Sequence, residues 1–381
     1  MNFTINRNLF IQYLNIVSLG LPSKTPMRLL EGIKIEALED KITLTTTSSE
    51  VSVSIDIKDP SIIIKEQGKT VVIGKVFIEL VKAFDTEDIS LFLIEDKSLM
   101  LKACRKEYLV NIMDVNDYPL IDFIKQEESF DIKSDLFNEI IGQTVFACAS
   151  NNNKQPVLNG LQFKYYNNKV MFTATNTFRL SQKELDYESD YPNFNVTIPA
   201  KALELVQKVI DYSNVKDINI YFNNNKILFK FENILFQTRL LDGNYPNTQN
   251  IIPHDPKSTI CFIKDELLTA LNRTALLSPS EKTSDREITY AAISFKVNKD
   301  NEVELSSANA QGNGKEIVIP TSMNLYEPLL LGVSCKYLVE ALKAIPSNEV
   351  VFGFINSARQ FTIKAKDDDS LTELILPFSL D

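Results

Sequence analysis

At 381 residues the chain is longer than one ordinary domain and suits two or three. Its 44% hydrophobic and 24% charged composition describes globular units with sizeable cores, while a net charge of -10 and a pI of about 5.0 exclude a protein that grips nucleic acid over its whole surface. A locally basic face on an acidic body remains open.

The first predicted elements fall in FTINRNLFIQYL from Phe3, and this segment has two later counterparts, FDIKSDLFNEII from Phe130 and CFIKDELLTALN from Cys261. The starting points lie 127 and 131 residues apart. Next come strand pairs, GIKIEALEDKITLTTT in the first repeat and GLQFKYYNNKVMFTAT in the second. A second helical landmark then recurs in each unit: GKVFIELVKAF from Gly74, AKALELVQKVI from Ala200 and CKYLVEALKAI from Cys335, spaced by 126 and 135. In these helices Phe77, Leu80, Val81 and Phe84, then Leu203, Val206 and Ile210, then Leu338, Ala341, Leu342 and Ile345, keep helical spacing, so one face of each is buried.

Each of these helices is followed by segments of period two. Ile89, Leu91, Leu93, Leu99 and Leu101 fall at every second position in the first unit. Ile218, Ile220 and Phe222 lead through Asn223-Asn224-Asn225 to Ile227, Phe229 and Phe231 in the second, and Phe352, Phe354, Phe361 and Ile363 close the third. Tyr118-Pro119 and Tyr245-Pro246, again 127 apart, end the first two units, because proline cannot continue a central strand. The expected fold is α+β: three tandem domains over residues 1–124, 125–253 and 254–381, each with two helices packed on antiparallel sheets by a strand-helix-strands pattern written twice.

Catalysis finds little support. The one histidine, His254, sits in the turn-like NIIPHDPKS, and P-loop, GxSxG, HExxH and glycine-rich dinucleotide motifs are missing from a chain with only 11 glycines. Cys104, Cys148, Cys261 and Cys335 are scattered without a CxxC pair, so buried thiols are expected rather than a disulfide framework or zinc site, and no cofactor or metal is implied. The start MNFTINRNLFIQYL lacks a basic n-region and an apolar h-region, and no run of about 18 apolar residues occurs, so a cytoplasmic location without membrane attachment is expected.

Charge on the second helices is patterned. Lys75 and Lys82, Lys201 and Lys208, and Lys336 and Lys343 are each seven residues apart, close to two turns, and so share one side away from the apolar stripe. Lysine is a good helix former, and one such helix would need no further account. Recurrence at matching positions in three helices of an acidic chain points to a common partner. Lys24, Arg105 and Arg273 extend the same candidate basic surface. Helices on a concave side would track the phosphates of duplex DNA without reading its sequence, with carboxylates such as Asp367 to Asp369 outside.

With these features in order, the chain resembles the bacterial sliding clamps, the β subunits of DNA polymerase III. The likeness covers the whole chain and is carried by MNFTINRNLF, PVLNGLQF, TNTFRLS, LLDGNYP and LILPFSL in sequence along a threefold repeat. It implies a non-catalytic processivity factor, a head-to-tail homodimer closing a ring around DNA, with helices lining the hole. It also implies partners that carry a short clamp-binding peptide: the polymerase III α subunit, the clamp loader and repair proteins. By motif, the peptide pocket comprises Leu158, Thr175, Thr177, Arg179, Leu180, Pro246, Ile251, Leu374, Leu376, Pro377, Phe378 and Leu380. The chain departs from the family pattern at Thr177-Phe178, where Gly-His is usual, and at Gln155 and Ser379, where arginine is common, which leaves its preferred peptides open. Two other classes are the alternatives: an enzyme working through carboxylates, and a repeat scaffold or adhesion module with no role on DNA.

Overall fold

The fold is taken from a computed structural model that describes residues 1–381 except 96, 279, 282–289, 298–300 and 379–381, together with the side chains of 280, 281 and 290–292. The chain divides into two compact units, Met1–Asn138 with Lys201–Leu240, and Glu139–Ala200 with Leu241–Asp381. Six α-helices are described: α1 (Arg7–Val17), α2 (Gly74–Ala83), α3 (Ser134–Thr144), α4 (Ala200–Ser213), α5 (Lys264–Ala275) and α6 (Cys335–Ala344). They alternate with antiparallel strands in the expected order.

The three repeats share hydrogen bonds as well as sequence. In each, the strand before the first helix pairs antiparallel with the strand after the second. Phe3 lies opposite Leu91, Phe130 opposite Ile220, and Ile260 opposite Phe352. The first helix of each repeat then opens on one backbone bond: Arg7 N–H donates to Glu87 O at 2.7 Å, Ser134 N–H to Lys216 O at 2.9 Å, and Lys264 N–H to Asn348 O at 2.8 Å. The same residues reach the end of the second helix with their side chains. Arg7 Nη2 donates to Lys82 O at 2.6 Å, Lys264 Nζ to Ile345 O at 2.8 Å, and Ser134 Oγ to Val215 O. Carbonyls left over where a helix stops are thereby satisfied by a repeated donor.

The apolar stripes meet the sheets as the periodicity requires. In the first unit Phe3, Phe10 and Phe77 are fully buried and pack edge to face, with centroids 6.4 and 5.9 Å apart. Leu203, Val206 and Ile210 of α4 are buried in the same unit. In the second unit, α5 and α6 bury Leu267, Leu271, Leu338 and Leu342 in a cluster that includes Phe262, Phe295, Phe352 and Phe354.

Sheet continuity places the divisions. Val51–Ile57 of the first repeat pairs antiparallel with Ile234–Arg239 of the second, Val53 opposite Phe236, inside a 13-stranded sheet of the first unit. Arg179–Asp186 of the second repeat pairs in the same way with Leu371–Ile375 of the third, Ser181 opposite Glu373, inside a 9-stranded sheet of the second unit. The middle repeat therefore shares one ladder with each neighbour, and its strands fall to both compact units.

Two strands are left from this series. Gly312–Val318 of the third repeat pairs on one side only, with Val303–Asn309. Lys106–Met113 of the first pairs along its length with Ser98–Ala103, but meets Gly68–Ile73 only at Ile112 and Met113. Among the described residues, 106–110 and 312–318 each present an open edge.

The first Tyr-Pro step is an anchored exit. Tyr118 is buried and its hydroxyl donates to Gly32 O at 3.3 Å and Thr45 O at 3.4 Å, while the following segment is held by Ile124 N–H on Gln237 Oε1 at 2.9 Å. The cysteines differ from expectation. Cys335 is buried, and burial pushes its thiol up to about 11, but Cys148 and Cys261 are half-buried and Cys104 is exposed. Cys104 occupies the tight turn between Ser98–Ala103 and Lys106–Met113 with φ 52°, so it stands at a hairpin tip rather than in the core.

Candidate DNA-facing helices and peptide pocket

The lysine pairs lie where helical geometry puts them. On α2, Lys75 and Lys82 are exposed while Phe77 and Val81 are buried; on α4, Lys201 and Lys208 are exposed opposite Leu203 and Val206; on α6, Lys336 and Lys343 are exposed opposite Leu338 and Leu342. Lys24 and Arg105 are exposed in loop and turn. Among the described residues none of these eight side chains enters an ion pair, so each presents a free cation. Arg273 differs, because its Nε and Nη2 donate to the two carboxylate oxygens of Glu316 at 2.6 Å each. That bidentate bond holds the guanidinium more firmly protonated than usual and the Glu316 carboxyl below its usual range. Arg273 is thus the candidate phosphate contact already neutralised within its own chain. Lys82 and Lys343 also fall in the last turn of their helices, where a cation opposes the negative end of the dipole. The first helices contribute less positive charge: α1 exposes Asn8 and Gln12, and α3 exposes Asp135 and Glu139.

The described residues assigned to a peptide pocket all belong to the second unit. The hairpin turn is built by Asn176, whose Oδ1 accepts from Phe178 N–H and Arg179 N–H at 3.0 Å each, and by Thr175, whose Oγ1 accepts from Thr177 N–H at 3.1 Å and donates to Arg179 O at 2.6 Å. Thr177 accordingly has φ 78°. The ladder then sets Leu180 directly opposite Leu374 and Arg179 opposite Ile375. Leu376 N–H continues the pairing onto Phe178 O at 2.9 Å, and the Phe378 backbone exchanges bonds with Gly332 at 3.0 and 3.1 Å.

These residues divide by exposure. Leu158, Leu180 and Leu374 are buried, and Thr175 is 8% exposed, so they support the surface from beneath. Leu376 at 41% and Ile251 at 40% are open, with Pro246, Pro377 and Phe378 between. Gln360 Nε2 fixes the Ile251 segment by donating to Ile251 O at 2.9 Å. Leu380, the last expected pocket residue, lies outside the described residues.

Arg179 is engaged internally. It is 7% exposed, its Nη1 donates to Glu340 Oε2 and its Nη2 to Phe146 O, and its guanidinium lies 4.5 Å from the Tyr337 ring centroid and 5.1 Å from that of Phe146. Asn176 Nδ2 completes the group by donating to Tyr337 Oη at 3.1 Å. Phe146, Tyr337 and Glu340 carry no motif of their own, so sequence reading passed them over; only the fold brings them to Arg179. Beside it, Glu373 is fully buried, accepts from Ser181 Oγ at 2.7 Å, and is pushed well above the carboxylate range by desolvation.

Models of the N-terminal, central and C-terminal domains of the DNA polymerase III beta subunit match residues 1–122, 131–247 and 249–379. The beta sliding clamps of Staphylococcus epidermidis and Staphylococcus aureus are each 33% identical to this chain, with 99% of both chains covered. Among solved structures, the DNA polymerase III beta chain of Streptococcus pneumoniae superposes with a TM-score of 0.93 at 30% identity over 99% of each chain. The sliding clamp of Bacillus subtilis does so at 0.91 and 29% over the full length of both. The fold is therefore one of α+β clamp domains, a class that works by holding rather than by chemistry. The chain belongs to the DNA polymerase III beta subunit family, the sliding clamps, and is a processivity factor of DNA replication, not a catalyst. No helix among the described residues is long and apolar enough to cross a membrane.

Proposed function

We propose that two copies of this chain close head to tail into a ring around duplex DNA, with Lys75, Lys82, Lys201, Lys208, Lys336 and Lys343 facing the hole and Lys24 and Arg105 extending that surface. Three clamp domains, divided near residues 124 and 253, make each half. Free cations on an acidic body give phosphate attraction that is independent of sequence and weak enough to permit sliding. Retention then comes from closure. The exposed apolar side chains Leu376 and Ile251, with Pro377 and Phe378 over buried Leu158, Leu180 and Leu374, receive the leucine and aromatic anchors of peptides carried by the polymerase III α subunit, the clamp loader and other cytoplasmic partners.

One observation carries the reading of closure. Each repeat lends one strand to the next, Val51–Ile57 to Ile234–Arg239 and Arg179–Asp186 to Leu371–Ile375, and among the described residues the series ends with an open edge on Gly312–Val318 in the third repeat and another on residues 106–110 in the first. Open edges invite pairing, and a second copy supplies the missing strand at both ends. Native mass at micromolar concentration tests this. About twice 43.2 kDa is expected, and a monomer at all concentrations would refute it.

A further inference from the structure

The repeat fixes more than the presence of a joint. Corresponding residues can be traced through the ladders, starting from the helix ends. Ile73, Pro199 and Ser334 precede the second helices and lie opposite Gly32, Gly160 and Ala292. Two residues on, Lys34, Gln162 and Ser294 face Thr45, Thr173 and Ser306, which in turn face Ser54, Gln182 and Lys315. Gly314 therefore corresponds to Val53 and Ser181. On the other side of the joint, Leu91, Ile220 and Phe352 face Leu101, Phe229 and Ile363, which face Tyr108, Phe236 and Glu373. Tyr108 therefore corresponds to Phe236 and Glu373. Val53 pairs with Phe236, and Ser181 with Glu373.

Resting on the reading that two copies close head to tail, we infer that Tyr108 of one copy pairs with Gly314 of the next, Lys106 with Glu316, and Glu107 with Lys315. Three features of the free chain fit this register. Both charge pairs are opposite in sign. The faces agree: Tyr108 packs edge to face on Phe84 at the end of α2, and Glu316 is held by Arg273 of α5, so the Lys106, Tyr108, Gly314 and Glu316 side lies toward the helices on both edges. Gly314 leaves space that a side chain would fill, its missing Cβ lying 3.4 Å from Leu277, where the half-exposed Tyr108 ring can lie over the glycine.

Each edge charge also has a partner inside its own chain. Glu107 is bonded to Lys102 at 2.7 Å, Lys315 to Glu304 at 2.7 Å, Lys106 to Asp85, and Glu316 to Arg273. Closure in this register extends them into two alternating rows, Lys102–Glu107–Lys315–Glu304 and Asp85–Lys106–Glu316–Arg273. A slip by one residue would place side chains of opposite faces across from one another. Beside Arg273 and Glu316 a cavity of about 500 Å³, edged by exposed Ile317 and Ile319, leaves apolar surface for the same partner.

Cross-linking tests the register. The existing bonds from Asp56 N–H to Asn233 O and from Glu184 N–H to Ser370 O show which pairs of the ladder exchange backbone bonds. By correspondence, Lys106 and Glu316 form a pair that does not, with Cα atoms about 4.5 Å apart, within disulfide range. In a Cys104→Ser background, full-length Lys106→Cys/Glu316→Cys is expected to give a covalent dimer on mild oxidation, whereas Lys106→Cys/Lys315→Cys, on opposite faces, is not. In the unsubstituted chain, the dissociation constant should rise at least about tenfold between low salt and about 0.5 M salt as the rows are screened. A dimer whose cross-links follow another pair, or form equally in both variants, would overturn the register and leave ring closure standing. A monomer would instead sink the reading beneath it.

Discussion

Arg179 offers the sharpest test of how the joint between the second and third repeats is held. Arg179→Ala removes a guanidinium that is 7% exposed, strips Glu340 of its cation and the Phe146 carbonyl of a donor, and leaves a gap between two aromatic rings. Breaking a buried ion pair from one side costs about 3–5 kcal/mol, and the stranded acceptor accounts for about 1–3 kcal/mol of that. The Glu340 side chain is 33% exposed, so water recovers part of its solvation, and the loss should fall near the lower limit, at about 3 kcal/mol. Arg179→Lys keeps a charge but cannot reach Glu340 and Phe146 in one plane, and should lose about half as much. Urea denaturation followed by far-UV circular dichroism, fitted for more than one transition because the chain has two compact units, measures both. A loss below about 1 kcal/mol for the alanine variant would refute the view that Arg179 is a structural tie.

Other expectations follow from the same geometry. Burial raises the Glu373 carboxyl well above its ordinary range in the folded chain, so the stability it contributes is complete below the ordinary carboxylate range and falls as pH rises through its elevated folded value; Glu373→Gln should flatten the fall in melting temperature as pH rises above the ordinary carboxylate range, and parallel curves would contradict this. Reversing Lys75, Lys82, Lys201, Lys208, Lys336 and Lys343 to glutamate should abolish loading onto DNA and leave the native mass unchanged, whereas unaltered loading would reduce them to solubility residues. Leu376→Ala, at an exposed position, should weaken binding of a leucine-aromatic peptide by about 1–2 kcal/mol in calorimetric titration, with no effect on native mass. It is a cleaner probe than deleting Pro377 to Asp381, because the Phe378 backbone is bonded to Gly332 and its loss would also open the sheet.

The parts legible in the sequence are those governed by local rules. The stripe Leu203, Val206, Ile210 announces a helix with one buried face, and the lysines opposite it had to be exposed once that face was fixed. Repetition of such stripes at near-constant spacing carried the tandem architecture. What escaped is long-range. Arg179 and Glu340 are 161 residues apart, and no periodicity connects them. The pairing of Val51–Ile57 with Ile234–Arg239 makes one ladder out of two repeats, so the middle repeat divides between compact units although its sequence is continuous. Cys104 was expected inside because free thiols usually are, but the left-handed turn it occupies is set by the hairpin around it.

The most direct test is topological. The chain should remain on nicked circular DNA after treatment with clamp loader and ATP, and leave when the circle is cut once, since a closed ring is lost only over a free end. Equal retention on the circle and on the linear molecule would contradict encirclement and mark the lysine faces as ordinary surface.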